Sequence, residues 1–142
     1  MKIIQLPEKS QEIVSQLSGE WRNVDIEHFG REINEWKTEN FFLYAKENSK
    51  VLGFICFEIE MEVCYIKEII VAVKYRKKGI GKELVEKAEE IAKQHGAHIS
   101  YLTTGVDWNE RKFYETLGYV KTADLKNHYL GKDFIHLTKN LK

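Results

Sequence analysis

A glycine-containing turn in the middle of the chain has the residue types best suited to chemistry. Residues 76–82 read Arg-Lys-Lys-Gly-Ile-Gly-Lys, between an apolar stretch and an amphipathic one. The start of a helix offers backbone N–H groups without partners and the positive end of the helix dipole. Because glycines let a backbone approach a ligand closely, the turn predicts an anion site, most naturally for a pyrophosphate. A solvated connection between strand and helix is the alternative.

Two familiar phosphate-binding glycine loops do not fit this turn. The dinucleotide fingerprint G-x-G-x-x-G requires a third glycine where this chain has Leu84. The P-loop requires glycine at the position of Arg76 and Ser or Thr at the position of Glu83. A nucleotide-binding domain of either kind is therefore not expected.

Two separate motifs resemble those of the GCN5-related N-acetyltransferase (GNAT) superfamily. Arg76-x-x-Gly79-x-Gly81 resembles its acetyl-CoA signature, and residues 113–119, Phe-Tyr-Glu-Thr-Leu-Gly-Tyr, resemble its F-Y-E-x-L-G-F segment. Residues 68–71, Glu-Ile-Ile-Val, look like the family's central strand, which separates from its neighbour where the cofactor enters. The order of predicted elements also matches the family fold over nearly the whole chain.

The resemblance implies acetyl-CoA as the co-substrate, with no metal, and points to the residues that hold it. The backbone amides after Arg76 would bind the pyrophosphate, and they belong to Lys77, Lys78, Gly79, Ile80, Gly81 and Lys82. The pantetheine arm would pair, as an added strand does, with the backbone of Ile69, Ile70 and Val71.

The resemblance also implies two catalytic residues. Tyr114 matches the family's general acid, and the alternative makes it an aromatic core residue. Glu68 matches a carboxylate that often acts as the base through water. Its apolar neighbours predict that it is partly buried, and the alternative is that it pairs with Lys67.

Asn109 lies closer to Tyr114 than the family's asparagine usually does. It is therefore expected either to contact the cofactor or to cap a helix.

The elements that must position these residues follow from apolar periodicity and turn residues. Strands are predicted at Lys2–Leu6, Phe41–Glu47, Val51–Glu60, Val63–Val73, His98–Thr103, Tyr119–Leu125 and Phe134–Leu141. Helices are predicted after Pro7, at Val24–Trp36, at Ile80–His95 and at Asn109–Leu117. The fold class is therefore mixed α/β, and the GNAT-like fold implied has a central, mostly antiparallel mixed sheet of about seven strands with four helices.

Composition limits the class of protein further. The 142 residues hold 43% hydrophobic residues and balance 22 basic against 22 acidic ones, which suits one domain, residues 1–142. Zero net charge argues against nucleic acid as a partner. No apolar run is long enough for a membrane helix or signal peptide, and two cysteines without metal spacing indicate buried thiols in the cytoplasm.

The function expected is an acetyl-CoA-dependent N-acetyltransferase whose acceptor amine attacks directly in a ternary complex. A non-catalytic acyl-CoA-binding or regulatory module of the same fold is the alternative. The acceptor is a small-molecule or peptide amine, and a homodimer is one arrangement that the resemblance allows. Glu58, Glu60 and Glu62 share one phase of a strand, so they either draw a cationic acceptor or form a solvated face.

Overall fold

A six-stranded mixed sheet forms the centre of the larger of two units. The computed structural model describes residues 1–142, and its units are Met1–Trp36 and Lys37–Lys142. The strands are β1 (Glu39–Glu47), β2 (Lys50–Glu60), β3 (Val63–Val71), β4 (Ile99–Gly105), β5 (Val120–Leu125) and β6 (Phe134–Asn140), and their order in the sheet is β1-β2-β3-β4-β6-β5. The predicted mixed α/β class is confirmed.

The smaller unit contains two helices and no strand. Helix α1 spans Gln11–Ser15, and the hydroxyl of Ser10 caps it by accepting from the Ile13 N–H at 3.3 Å. Helix α2 spans Ser18–Phe29. The predicted strand Lys2–Leu6 does not form, because no neighbouring strand pairs with its backbone groups. The sheet therefore has six strands rather than about seven.

The second predicted helix ends earlier than expected. Gly30 takes a left-handed conformation with φ 73°, so α2 stops at Phe29 and does not reach Trp36. Trp36 instead folds back within the unit, where its Nε1–H donates to Asp25 at 3.3 Å and its ring meets the edge of Phe29.

Strand β3 separates from β4 partway along the sheet. The two strands pair in parallel only from Val63 opposite Ile99 to Tyr65 opposite Tyr101. Beyond that pair, β3 keeps only its antiparallel partner β2, and β4 keeps only β6. The edge of β3 that faces β4 is therefore free over its second half.

Helix α3, which spans Ile80–Gln94, covers one face of the sheet. Its buried apolar side chains are Leu84, Val85, Ala88 and Ala92, and they join a core with Ile55, Phe57 and Ile59 of β2. Helix α4, which spans Glu110–Thr116, follows β4 and brings the ring of Tyr114 into the same core. Four helices are present, as predicted.

A β-bulge at Lys67 changes which residues of β3 face the core. Phe57 lies opposite Ile66, and the residue before it in β2, Cys56, lies opposite Glu68. Lys67 therefore has no partner in β2 and is the extra residue of the bulge. After the bulge, odd-numbered rather than even-numbered residues face the core. Glu68 is consequently exposed.

A small polar cluster is buried beneath the sheet's other half. The Tyr119 hydroxyl lies 3.1 Å from the Glu89 carboxylate and 2.9 Å from the Ser100 hydroxyl. Lys139 of β6 pairs with the same carboxylate at 2.8 Å. These contacts tie α3 to β4 and β6 through polar groups, each of which has a partner, as buried polar atoms require.

Candidate functional site

A cleft of about 550 Å³ lies where the end of β3 meets the starts of α3 and α4. Its walls come from these elements and from the turn between β3 and α3. The lining residues are Ile69, Ile70, Val71, Tyr75, Arg76, Lys77, Gly79, Ile80, Gly81, Lys82, Glu110, Phe113, Tyr114, Thr116 and Leu117. The structure thus brings most of the predicted cofactor residues to one place, together with Tyr114.

The turn before α3 presents a row of unpaired backbone donors. The N–H of Arg76 bonds to Val73 O, and that of Glu83 bonds to Gly79 O. Between them, six consecutive N–H groups, those of residues 77–82, have no partner in the protein. Left-handed conformations at Lys77 (φ 59°) and Gly79 (φ 87°) curve this row, and successive N–H groups in such a turn form an anion-binding nest. The predicted pyrophosphate cradle therefore has the donors that it needs.

Strand β3 offers further donors and acceptors along its free edge. Ala72 N–H bonds to Leu52 O at 2.9 Å, so the alternation of an antiparallel ladder turns the backbone groups of Ile70 toward β2 as well. The backbone groups of Ile69 and Val71 then point to the opposite, unpaired edge. Of the three residues predicted to pair with the pantetheine arm, Ile70 contributes only its exposed side chain to the cleft.

The side chain of Arg76 secures the turn to this edge. Its Nε donates to Val71 O at 2.9 Å, so that carbonyl already has a protein partner. The free groups that remain on the edge are the N–H and C=O of Ile69 and the N–H of Val71. One amide-bearing arm of a ligand could pair with these groups, as a strand does in β-augmentation.

The two glycines of the turn have different roles. A side chain at Gly79 would meet no atom within 4 Å, and what requires glycine there is the left-handed backbone. At Gly81 a Cβ would lie 3.2 Å from the ring of Phe113 and 3.7 Å from Val71. Gly81 therefore allows α3 to pack closely against α4 and β3.

Tyr114 reaches the cleft from the core. Its ring is 7% exposed and packs against the edges of Phe113 and Tyr119. Burial, with a smaller contribution from the charge of Glu110, raises the pKa of Tyr114 to about 12. The phenol is therefore protonated throughout the neutral range and can donate a hydrogen bond into the cleft.

Of the predicted site residues, Lys78, Glu68 and Asn109 lie outside the cleft lining. The predicted partial burial of Glu68 is wrong, because the bulge places this residue on the exposed side of β3. Its alternative partner, Lys67, pairs with Glu58 at 3.3 Å instead. Asn109 occupies the N-cap position of α4, but its side chain makes no capping hydrogen bond and is exposed.

The cleft also includes residues that were not assigned from the sequence. Tyr75 precedes the turn, and the ammonium groups of Lys74 and Lys78 lie over its ring at 4.9 and 5.6 Å. Helix α4 adds Glu110, Phe113, Thr116 and Leu117. Glu110, Phe113 and Leu117 share a helical face with Tyr114, so the helical period applied to α4 would have found them.

Two other features bear on the kind of site. No cluster of three or more His, Cys, Asp or Glu side chains is arranged to hold a metal ion. None of the helices combines the length and apolar character needed to cross a bilayer.

The acetyltransferase (GNAT) family model matches residues 10–119, and the chain belongs to this family. An uncharacterised N-acetyltransferase of Methanocaldococcus jannaschii is 34% identical over 98 residues, which are 63% of this chain and 43% of that protein. The chain thus aligns with less than half of that relative's length.

Solved structures share the fold. A proposed streptothricin acetyltransferase from Bacillus anthracis, in complex with acetyl coenzyme A, has 27% identity and a TM-score of 0.67, covering 76% of this chain and 65% of that one. An acetyltransferase from Bacillus cereus has 20% identity and a TM-score of 0.67, covering 96% and 97%. The ribosomal-protein-S18-alanine N-acetyltransferase from Escherichia coli has 17% identity and a TM-score of 0.67, covering 94% and 78%.

Proposed function

We propose that this GNAT-family chain is an acetyl-CoA-dependent N-acetyltransferase that acts on a primary amine by direct attack in a ternary complex. One observation carries the proposal: five residues with unpaired N–H groups, Lys77 and residues 79–82, line the same cleft as Tyr114 and the free edge of β3. We also propose that residues 1–142 work as one acetyltransferase domain and that, with both cysteines buried and unpaired, its location is cytoplasmic.

The parts of the cleft match the parts of acetyl-CoA. A pyrophosphate needs several donors and a positive field, which the turn and the start of α3 supply. The amide-bearing pantetheine arm needs alternating donors and acceptors, which Ile69 and Val71 present on the strand edge. The Ile70 and Phe113 side chains give the arm apolar walls.

Bound acetyl-CoA supplies an acetyl thioester, whose C–S bond breaks as the C–N bond of the product forms. The amine must lose a proton, and we assign that proton to Glu68 through a water molecule. Glu68 is exposed on the strand that carries Ile69, and no ion pair occupies its carboxylate. An accessible carboxylate is suited to a relay of this kind, in which bulk water is also close at hand.

Tyr114 is assigned to the leaving sulfur. A thiol has a reference pKa of about 8.5, below that of the buried phenol, so complete proton transfer to the thiolate would be uphill. Tyr114 therefore acts by donating a hydrogen bond that strengthens as negative charge develops on sulfur. Removing one hydrogen-bond donor aimed at developing negative charge typically lowers kcat by about 10²–10³-fold.

The test separates catalysis from binding. CoA affinity is measured by calorimetry, and thiol release from acetyl-CoA is followed with a broad set of amines. Tyr114→Phe should keep CoA affinity and lower kcat by ~100-fold or more. CoA binding without thiol release from any amine would instead support a non-catalytic acyl-CoA-binding module. Unchanged kcat in Tyr114→Phe would remove the hydroxyl from the mechanism.

A further inference from the structure

Three stacked rings line the sheet face opposite α3, and we call them the ring ladder: Tyr65, Tyr101 and His136. Tyr65 and Tyr101 are parallel at 4.6 Å, and Tyr101 and His136 stack at 4.7 Å. Their neighbours along the strands, such as Ile66 and Leu102, point into the core. The ladder thus crosses β3, β4 and β6 on the face that α3 leaves uncovered.

The ladder stands at the narrow end of the gap between β3 and β4. Tyr65 and Tyr101 form the last pair before the two strands separate. Ile69, whose backbone edge borders the cleft, lies four residues further along β3. At ~3.3 Å per residue, with the bulge shortening the path, that distance is about 10–13 Å. A ligand with one group on the ladder and another at the gap must therefore span about 10–13 Å, which a single charged group cannot do.

Carboxylates border the ladder. Glu58 lies opposite Tyr65 in the β2–β3 register and pairs with Lys67 at 3.3 Å. Glu60 follows two residues later with the same strand phase, and it accepts a hydrogen bond from the Thr38 hydroxyl. After burial and the neighbouring tyrosine, the charges of Glu58 and Glu60 contribute to raising the pKa of Tyr101.

The local charge favours a cation. Burial lowers the pKa of His136, which favours the uncharged form of its ring. Lys67 pairs with Glu58, whereas Glu60 accepts from a neutral hydroxyl and has no cation in contact. Stacking covers the ring faces inside the ladder, so the face that can meet an ammonium group is the outer face of Tyr65, on the side of Glu58. That face and the carboxylate attract ammonium groups through the ring quadrupole and through Coulomb forces.

From this juxtaposition, and resting on the proposed acetyl transfer, we propose that the acceptor is a small diamine. One amine is acetylated at the gap between β3 and β4. The second, protonated amine lies on the ring ladder beside Glu58. The atom balance is that of the proposed function, because one N–H proton leaves the reacting amine and the second ammonium group is unchanged.

Three probe amines differ only at the far end: cadaverine carries an ammonium group, aminopentanol a hydroxyl group and pentylamine a methyl group. Cadaverine should have a KM ~10-fold below those of the other two, with a similar kcat, since an exposed cation–π contact and an exposed charge pair each contribute about 2–5-fold. Equal KM values for cadaverine and pentylamine would overturn the proposal.

Two variants on the face should act in opposite directions. Glu58→Gln should raise the KM of cadaverine about 2–5-fold and leave that of pentylamine unchanged. Lys67→Gln removes the competing cation, so it should lower the KM of cadaverine by a similar factor. Glu47→Gln, at the other end of the sheet, is the matched control and should change neither value. Shifts of the same sign in both face variants would contradict the assignment.

Calorimetry on the CoA-saturated protein keeps the two proposals apart. Cadaverine should bind more tightly than pentylamine. Glu58→Gln should weaken the binding of cadaverine, and Lys67→Gln should strengthen it. If no amine releases thiol but this binding pattern holds, the acetyl transfer fails and the diamine face stands. If thiol is released but cadaverine binds no better than pentylamine, the diamine proposal fails and the acetyl transfer stands.

Discussion

The guanidinium of Arg76 donates from Nε to the carbonyl of Val71 at 2.9 Å, which joins the turn before α3 to the end of β3. This bond spans the junction between the proposed pyrophosphate cradle and the proposed pantetheine edge. A lysine at this position keeps the charge but lacks the planar, pre-organised donor group.

Arg76→Lys is therefore expected to weaken CoA binding by about tenfold, because the turn loses the hydrogen bond that orients its N–H groups. Calorimetry with CoA measures the change. Lys74→Met removes a nearby cation without touching Val71 and serves as the control. Equal losses in the two variants would mean that charge, rather than the bond to Val71, is what matters at Arg76.

One N–H group of the cradle can be removed by itself. Lys82 lies in the first turn of α3, where its amide has no partner, so proline there breaks no helix hydrogen bond. Lys82→Pro removes the donor and the charge, whereas Lys82→Ala removes only the charge. If the amide binds a phosphate oxygen, Lys82→Pro should bind CoA about tenfold more weakly than Lys82→Ala. Thermal unfolding checks that α3 is intact in both variants, and matching affinities would show that this amide is not part of the cradle.

The pKa of Tyr114 predicts an alkaline loss of stability. Burial raises this pKa to about 12 from the ordinary phenol value of 10.0, so the folded state binds the proton more tightly than the unfolded state. The stabilisation is complete below pH 10 and is lost as pH rises toward 12. The loss is about 2–3 kcal/mol in the free energy of unfolding.

Tyr114→Phe isolates this effect. The difference in unfolding free energy between the parent protein and Tyr114→Phe should be constant up to about pH 10 and then shift in favour of the variant. Denaturant titrations at several pH values measure it. A difference that stays constant to pH 12 would show that the phenol is not buried in solution.

The partly buried pair of Glu89 and Lys139 predicts a non-additive mutational response. Lys139→Met leaves the carboxylate of Glu89, a residue only 7% exposed, without its cation and should destabilise the fold by about 3 kcal/mol. The double variant with Glu89→Gln should recover much of that loss, because the amide can still accept from Tyr119. Denaturant midpoints for the two single variants and the double variant test this, and additive losses would contradict the coupling.

Close packing at Gly81 predicts a compensating substitution. Gly81→Ala places a methyl group 3.2 Å from the Phe113 ring, so we expect a loss of about 1 kcal/mol in stability. Phe113→Leu in the same chain should relieve part of it. Gly79→Ala, which meets no neighbouring atom, is the comparison for backbone strain alone and should cost about 1–2 kcal/mol. Failure of Phe113→Leu to relieve Gly81→Ala would mean that the ring is not the obstacle.

Much of the sheet and of the cleft could be predicted because local signals and tertiary structure agree there. The amphipathic period of residues 80–94 predicted α3 correctly, and the glycine turn lies at the start of that helix, as expected. Lys2–Leu6 has a strand-like composition, but a strand also needs a partner, which no local pattern supplies. The left-handed conformation of Gly30 ends α2, whereas the apolar spacing beyond Gly30 had predicted that the helix continues to Trp36.

The bulge at Lys67 explains the main error at the site. Strict alternation from Cys64 and Ile66 places Glu68 on the core face, and its apolar neighbours strengthened that interpretation. One extra residue in the hydrogen-bond register reverses the phase, and the position of such a residue depends on β2 as much as on β3. Side-chain patterns within one strand carry little information about it.

The row of unpaired N–H groups at residues 77–82 has a consequence for genetics. Every residue except proline supplies the same amide, so most point mutations in the turn leave these donors in place. An alanine scan changes charge at Lys77 and Lys78 and packing at Ile80 but keeps all three amides, so it would miss the cradle. Substitutions that remove an amide or forbid the left-handed backbone would expose it, and the turn can drift in sequence while its chemistry stays constant.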